Sequence, residues 1–231
     1  MTEQSRPAFA LGDPQHYTQT EGAMTSAERP HDPPKEHYLD GRFMRSERTR
    51  RLMIKAYLQL VREHDRMPTA KEIARQSGYA LRSIFERFSN LDGLLLAAVD
   101  YAIASSREDM SAFDGSADRS RRIAGYIRAR AKICEDWLFL SRTLNAFVLQ
   151  SHNVELAARL ASMREDNVGW LERACQSELD GQPAERRRAL LATLSALTGF
   201  ESWHQMRHSF GFSFQEAEET WGLAINRLLR G

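Results

Sequence analysis

Three groups of residues in this chain are candidates for recognition or metal binding. The first lies in PTAKEIARQSGYALRSIFERFSN, Pro68 to Asn90, where Arg82 falls in the first turn of a short amphipathic segment. A guanidinium placed there can donate twice, to O6 and N7 of a guanine edge, if the segment enters a major groove. The second group is Glu201, His204 and His208, an ExxH extended by one helical turn, which could present a carboxylate and two imidazoles to a metal ion. The third is Asn167, an amide on the otherwise apolar stripe Leu160, Met163, Trp170 and Ala174. Without a partner such an amide would cost about 1–3 kcal/mol, so it must bond either a ligand or a neighbouring side chain.

The metal reading is the weakest of the three. A carboxylate-bridged bundle needs a second ExxH and two further glutamates on facing helices. The only other ExxH, Glu28 to His31, contains Pro30. A polar rim on the last helices is the better account, and no cofactor is expected. Ser, His and Asp occur, but no nucleophile elbow or phosphate-cradling glycine loop does, so catalysis has no support in the sequence.

The elements that must position these residues are all helical. Residues 1 to 40 hold five of the seven prolines and few aliphatic residues, too little apolar area to offset an ordering cost of roughly 1–2 kcal/mol per residue, and are expected to be a disordered tail. Helical periodicity begins near Phe43 and predicts one helix to about Glu63, carrying Arg45 and Arg48. Thr69, followed three residues later by Glu72, fits a capping box that opens a short helix, and Gly78 supplies the positive φ that ends it. A second short helix, about Leu81 to Phe88, follows at once. Ile73 and Ala74 on the first, with Tyr79, Ile84 and Phe88 around the second, provide the shared apolar contact of a helix-turn-helix. A plain helical hairpin inside a larger core would have the same pattern. A further helix runs through LDGLLLAAVDYAIASS, capped by Ser89 or Asn90.

Charge is uneven along the chain. Residues 1–40 carry 3 basic and 7 acidic side chains, residues 41–106 carry 12 and 7, and residues 107–231 carry 17 of each. The positive excess therefore sits on the block containing the helix-turn-helix, which suits phosphate contact and equally suits an ordinary solvated face. The N-terminal MTEQSRPAFALG has no basic start followed by an apolar run, and the longest apolar run, Leu94 to Val99, is far below the roughly 18 residues of a membrane span. A soluble, cytoplasmic protein with no membrane partner is expected. Cys134 and Cys175 lack CxxC or metal-ligand spacing and are expected to be reduced structural thiols.

From Phe43 to Tyr101 the sequence resembles the TetR family of bacterial transcriptional regulators. The resemblance is carried by Thr69, the pair Ile73 and Ala74, Gly78, and then Phe85 and Phe88. A weaker echo at FESWHQMR and SFQEAEETWGLAINRLL is similar to the last two helices of some members. Phe85 stands where a tyrosine is common, and Leu91 where a lysine is common. Two familiar phosphate contacts are thereby absent or reassigned.

The resemblance implies an all-α fold: a three-helix DNA-binding domain at 41–90, then a connecting helix with a ligand-binding and dimerisation domain at 91–231. It implies a regulator, a repressor in mode, that binds a palindromic double-stranded DNA operator as a homodimer and responds to a small-molecule effector. Ala80, Leu81, Arg82 and Ser83 would face bases, with Arg45, Arg48, Thr69, Lys71, Phe85 and Arg87 around them. Later helices are predicted at Arg119–Glu135, Trp137–Gln150, Asn153–Leu179, Pro183–Phe210 and Phe214–Arg230. Ile123, Ile127, Trp137, Leu144, Phe147, Leu160, Met163, Asn167 and Trp170 are the candidate pocket lining, although a Met and aromatic stripe is more often simply core. That lining suits a mostly apolar effector with at least one hydrogen-bonding group. Leu194, Leu197, Gly199, Trp221, Ile225 and Leu228 are the candidate dimer face. The rival reading is an all-α ligand-binding or metal-dependent enzyme that keeps the motif as scaffold.

Overall fold

The structure is a computed structural model that describes residues 35–230, with side chains for residues 43–148 and 152–230. It is built from helices, with no strand among the described residues. The expected tail falls largely outside the described residues, but its last six positions do not: α1 spans Lys35–His64 and so starts earlier than Phe43. Residues 42–231 form one compact unit.

The short helices follow their sequence signals closely. α2, Ala70–Ser77, opens on a complete capping box: the Thr69 N–H donates to Glu72 Oε2 at 2.7 Å, and the Glu72 N–H donates to Thr69 Oγ1 at 3.4 Å. Gly78, at φ 73°, ends it in the left-handed conformation that an L side chain adopts only at a cost. α3, Leu81–Phe88, follows after three residues, and α4, Leu91–Ser111, is capped by Asn90, whose Oδ1 accepts from the Gly93 N–H at 2.7 Å. A Cβ on Gly93 would stand 2.3 Å from the Phe88 carbonyl oxygen, so the tight junction between α3 and α4 requires glycine there.

The later helices depart from expectation at their boundaries. α5 runs unbroken over Arg119–Ser151, where a break near Asp136 was expected. No Pro or Gly lies near that junction, and Asp136 accepts from Lys132 one turn earlier at 2.7 Å, which supports the helix through it. α6, Val154–Ala174, ends at Cys175, and a short α7, Gln176–Leu179, continues separately. α8, Ala184–Leu197, stops at Thr198 and Gly199, and the expected single helix to Phe210 is instead α8, α9 at Phe200–His204 and a π-turn at Gln205–Ser209. α10 covers Phe214–Arg230 as expected.

The core is continuous across the unit. Met53, Ile73, Ile84 and Leu94 close it under α1 to α4, and Tyr126, Leu144, Leu171, Leu194, Trp203 and Trp221 close it under α5 to α10. α4 packs on α3 at one end and on α5 and α6 along its length. No described helix is long and apolar enough to cross a membrane.

Candidate nucleic-acid interface and ligand cavity

The α2 and α3 pair presents one face to the core and leaves the other bare. Ile84 and Phe88 are buried, while Leu81, Arg82, Phe85 and Glu86 are exposed, so four neighbouring side chains of α3 project from the surface. Arg82 is held by Glu86 at 2.7 Å, an exposed i,i+4 pair that a base edge would have to replace. Ala80 caps α3 without a side-chain bond, leaving early backbone N–H groups of the helix open. Exposed Leu81 and Phe85 give apolar surface of the kind that meets thymine methyl groups.

Other candidates around α3 differ in accessibility. Arg45, Arg48 and Lys71 are exposed. Thr69 is committed to the capping box, its hydroxyl also donating to Glu72 Oε2 at 2.8 Å. Ser83 and Arg87 are half-buried, and Arg87 turns back to donate to the Ser83 carbonyl at 3.3 Å. The buried Arg87 Nε finds no partner among the described residues. Arg66 reaches the other side of the cap and pairs with Glu72 at 2.5 Å. That guanidinium, together with the Thr69 N–H and hydroxyl, holds the Glu72 carboxyl well below the usual carboxylate range.

A cavity of about 770 Å³ opens between α5, α6, α8 and the start of α9. Of the residues expected to line it, Trp137, Leu144, Leu160, Met163 and Asn167 do. Ile123, Ile127, Phe147 and Trp170 do not: Ile123 and Ile127 are buried core, Ile127 facing Gly222 on α10, Trp170 is buried core, and Phe147 is half-buried against the core. The sequence reading missed the whole α8 wall, including Arg187, Arg188, Leu191 and Ser195, together with Arg130, Phe200 and Glu201. Of these, Glu201 enters the sequence reading only through the ExxH group. The signal available was Arg130, a cation at helical spacing on the stripe of Ile123, Tyr126, Ile127 and Cys134.

Asn167 is satisfied inside the chain. The Tyr126 hydroxyl donates to its Oδ1 at 3.0 Å and lies 2.9 Å from Thr198 Oγ1, while the amide nitrogen reaches Thr198 and Ser195 hydroxyls at 3.5 Å. The network ties α5, α6 and α8 together behind the cavity. Trp137 Nε1, by contrast, is buried without a partner among the described residues.

The expected dimer face is corrected in part. Leu194, Trp221 and Ile225 are at most 1 % exposed within a single chain and have no surface to offer another. Trp221 lies tilted against Trp203 with ring centres 4.8 Å apart and donates to Ser202 Oγ at 3.3 Å, anchoring α10 to α9. Leu197, Gly199 and Leu228 are half-buried, and Gly199 lines the cavity.

His204 and His208 stack at 4.8 Å, and Glu201 accepts from Asn145 Nδ2 at 2.9 Å. They do not gather into a three-residue metal-ligating set, nor does any other group among the described residues. Cys134 and Cys175 are buried, and burial pushes both thiols up to about 11.

No sequence-family model matches the chain, and no curated protein matches it. Solved structures do. A Rhodococcus sp. protein assigned to the TetR family of transcriptional regulators superposes with a TM-score of 0.63 at 18 % identity, over 79 % of this chain and 99 % of its own. A transcriptional regulator from Rhodococcus sp. Rha1 gives 0.57 at 15 %, covering 80 % and 96 %, and one assigned as such from Pseudomonas aeruginosa PAO1 gives 0.56 at 16 %, covering 80 % and 92 %. Identities this low carry the fold and nothing finer. This chain has the fold of the TetR-family transcriptional regulators.

Proposed function

We propose that the protein is a ligand-responsive transcriptional regulator, acting as a repressor in the bacterial cytoplasm, whose residues 41–90 read DNA and whose residues 91–231 bind an effector and dimerise. The observation that carries this reading is α3: a helix fixed on one side by buried Ile84 and Phe88 that presents Leu81, Arg82 and Phe85 outward. Arg45, Arg48 and Lys71 supply phosphate contacts, with no bound metal or cofactor required.

The coupling runs through α4. Trp137, on the cavity wall, packs edge-on against Tyr101 of α4 at 6.3 Å. The α6 wall is tied to α4 by Arg159 to Asp100 at 2.7 Å and by Arg107 to Asp166 at 2.8 Å. An effector that separates α5 from α6 therefore pulls on α4, whose N-terminus abuts α3. The response is a population shift, limited by the effector's difference in affinity for the two arrangements.

Dimerisation places two α3 helices on a palindromic site. On α8, Leu190 and Leu197 are half-buried and Ala189 and Thr193 exposed, all four outside the cavity lining. A second copy on this helix would cover them. Selection of genomic fragments bound by the purified protein tests the reading. A shared palindromic sequence, protected as two half-sites, is the expected result. Binding no tighter than to scrambled duplex at moderate salt would sink it.

A further inference from the structure

We propose that the cavity takes an amphipathic carboxylic acid, its carboxylate on Arg130 and its apolar body along Trp137, Leu144, Leu160 and Met163. This deepens the effector reading above and rests on it. Arg130 is 6 % exposed and lines the cavity. Its Nε donates to the Thr198 carbonyl at 2.9 Å, and its guanidinium carbon lies 5.0 Å from the centre of the Phe200 ring. These contacts fix the plane of the group from one edge and one face.

The terminal nitrogens are left over. They make no hydrogen bond or ion pair among the described residues, and they are not sealed from the cavity. A buried cation without an anion is costly, and two parallel N–H groups on a guanidinium match the two oxygens of a carboxylate. Glu201, the acidic residue of the lining, accepts from Asn145 Nδ2 on its Oε1 and forms no ion pair among the described residues. It therefore does not fill the role. The lining otherwise adds cations at its rim, Arg164 and Arg188, which favour the entry of an anion. Trp137 contributes apolar ring surface to the wall, its Nε1 being buried away from the cavity. At about 770 Å³ the cavity is in the range that encloses a small molecule with an apolar body.

The test uses the full chain and a panel of straight-chain carboxylates from hexanoate to tetradecanoate with two arylalkanoates, each paired with its primary amide. Binding is read by calorimetry and by tryptophan fluorescence, without DNA. At least one acid is expected to bind roughly tenfold or more tightly than its amide, as one charge-assisted bidentate pair implies. Arg130→Met should bring that ratio close to one while leaving the affinity for the amide largely unchanged. Arg130→Lys, which keeps the charge and loses the fork, should fall between the two and serves if the methionine variant does not fold. Arg164→Gln and Arg188→Gln should keep the preference. The proposal is overturned if no acid in the panel binds, if amides bind as well as acids, or if the preference survives loss of the Arg130 guanidinium. Release of operator DNA is measured separately. Acid preference without release would keep the carboxylate site and remove the regulatory reading, whereas release by neutral molecules alone would do the reverse.

Discussion

The α2–α3 region and the cavity region satisfy their polar side chains in opposite ways. Around α2 and α3 the partners are neighbours in sequence: Thr69 with Glu72, Arg66 with Glu72, Arg82 with Glu86, Asn90 with Gly93. Around the cavity they are distant: Tyr126 with Asn167 and Thr198, Arg130 with Thr198, Glu135 with Trp203 and Arg207. Local partners mark helix starts and stops through residues close in sequence, whichever elements pack against them. Distant partners exist only once the helices have assembled, so the polar contacts of the cavity wall depend on that assembly in a way the caps of α2 and α4 do not.

The largest effect should come from the cavity region's core. Trp221→Glu with Ile225→Lys places two ions where the side chains are at most 1 % exposed, at several kcal/mol each, against a total stability of about 5–15 kcal/mol. We expect loss of the cooperative thermal transition. A folded monomer with the wild-type helical signal by circular dichroism would show that these residues belong to an interface after all.

A smaller loss should follow from cutting the distant network. Asn167→Leu leaves the Tyr126 and Thr198 hydroxyls short of a partner, and should cost about 1–3 kcal/mol in denaturant melts. An unchanged midpoint would mean that the network contributes nothing to the wall.

On the head, Arg82→Ala should lose about 1–3 kcal/mol of discrimination at one base position per half-site. Arg48→Ala should instead weaken every duplex alike, which titrations on operator variants distinguish. Glu86→Ala, which frees Arg82 from its 2.7 Å pair, should tighten cognate binding by less than about 1 kcal/mol. Equal loss on cognate and scrambled DNA for Arg82→Ala would remove it from base reading.

The smallest effect tests the local cap through pH. The folded Glu72 carboxyl titrates below its ordinary value, so its contribution is present above the unfolded pKa of about 4.3 and is lost as pH falls through the lower folded value. Glu72→Gln should therefore lower the melting temperature at pH 7, with the gap to wild type closing in acid. A gap that stays constant from neutral pH down to strong acid would assign the effect to helix propensity alone.

The all-helical class, the capping box at Thr69, the stop at Gly78, the α3 limits and α10 were legible from the chain alone, because each rests on residues within a few positions of one another. The sequence also placed Trp137, Leu144, Leu160, Met163 and Asn167 on the right faces, since helical periodicity aligns them. What it left open were the relations between helices: that Ile127 and Trp170 turn away from the cavity, that α5 is unbroken, and that Trp221 and Ile225 are core. The bend at Thr198 and Gly199 that brings a carbonyl to the buried Arg130 was equally out of reach. Periodicity says which face of a helix is apolar, but not which neighbour covers it, and that choice is made by side chains far apart in the chain meeting in the packed state.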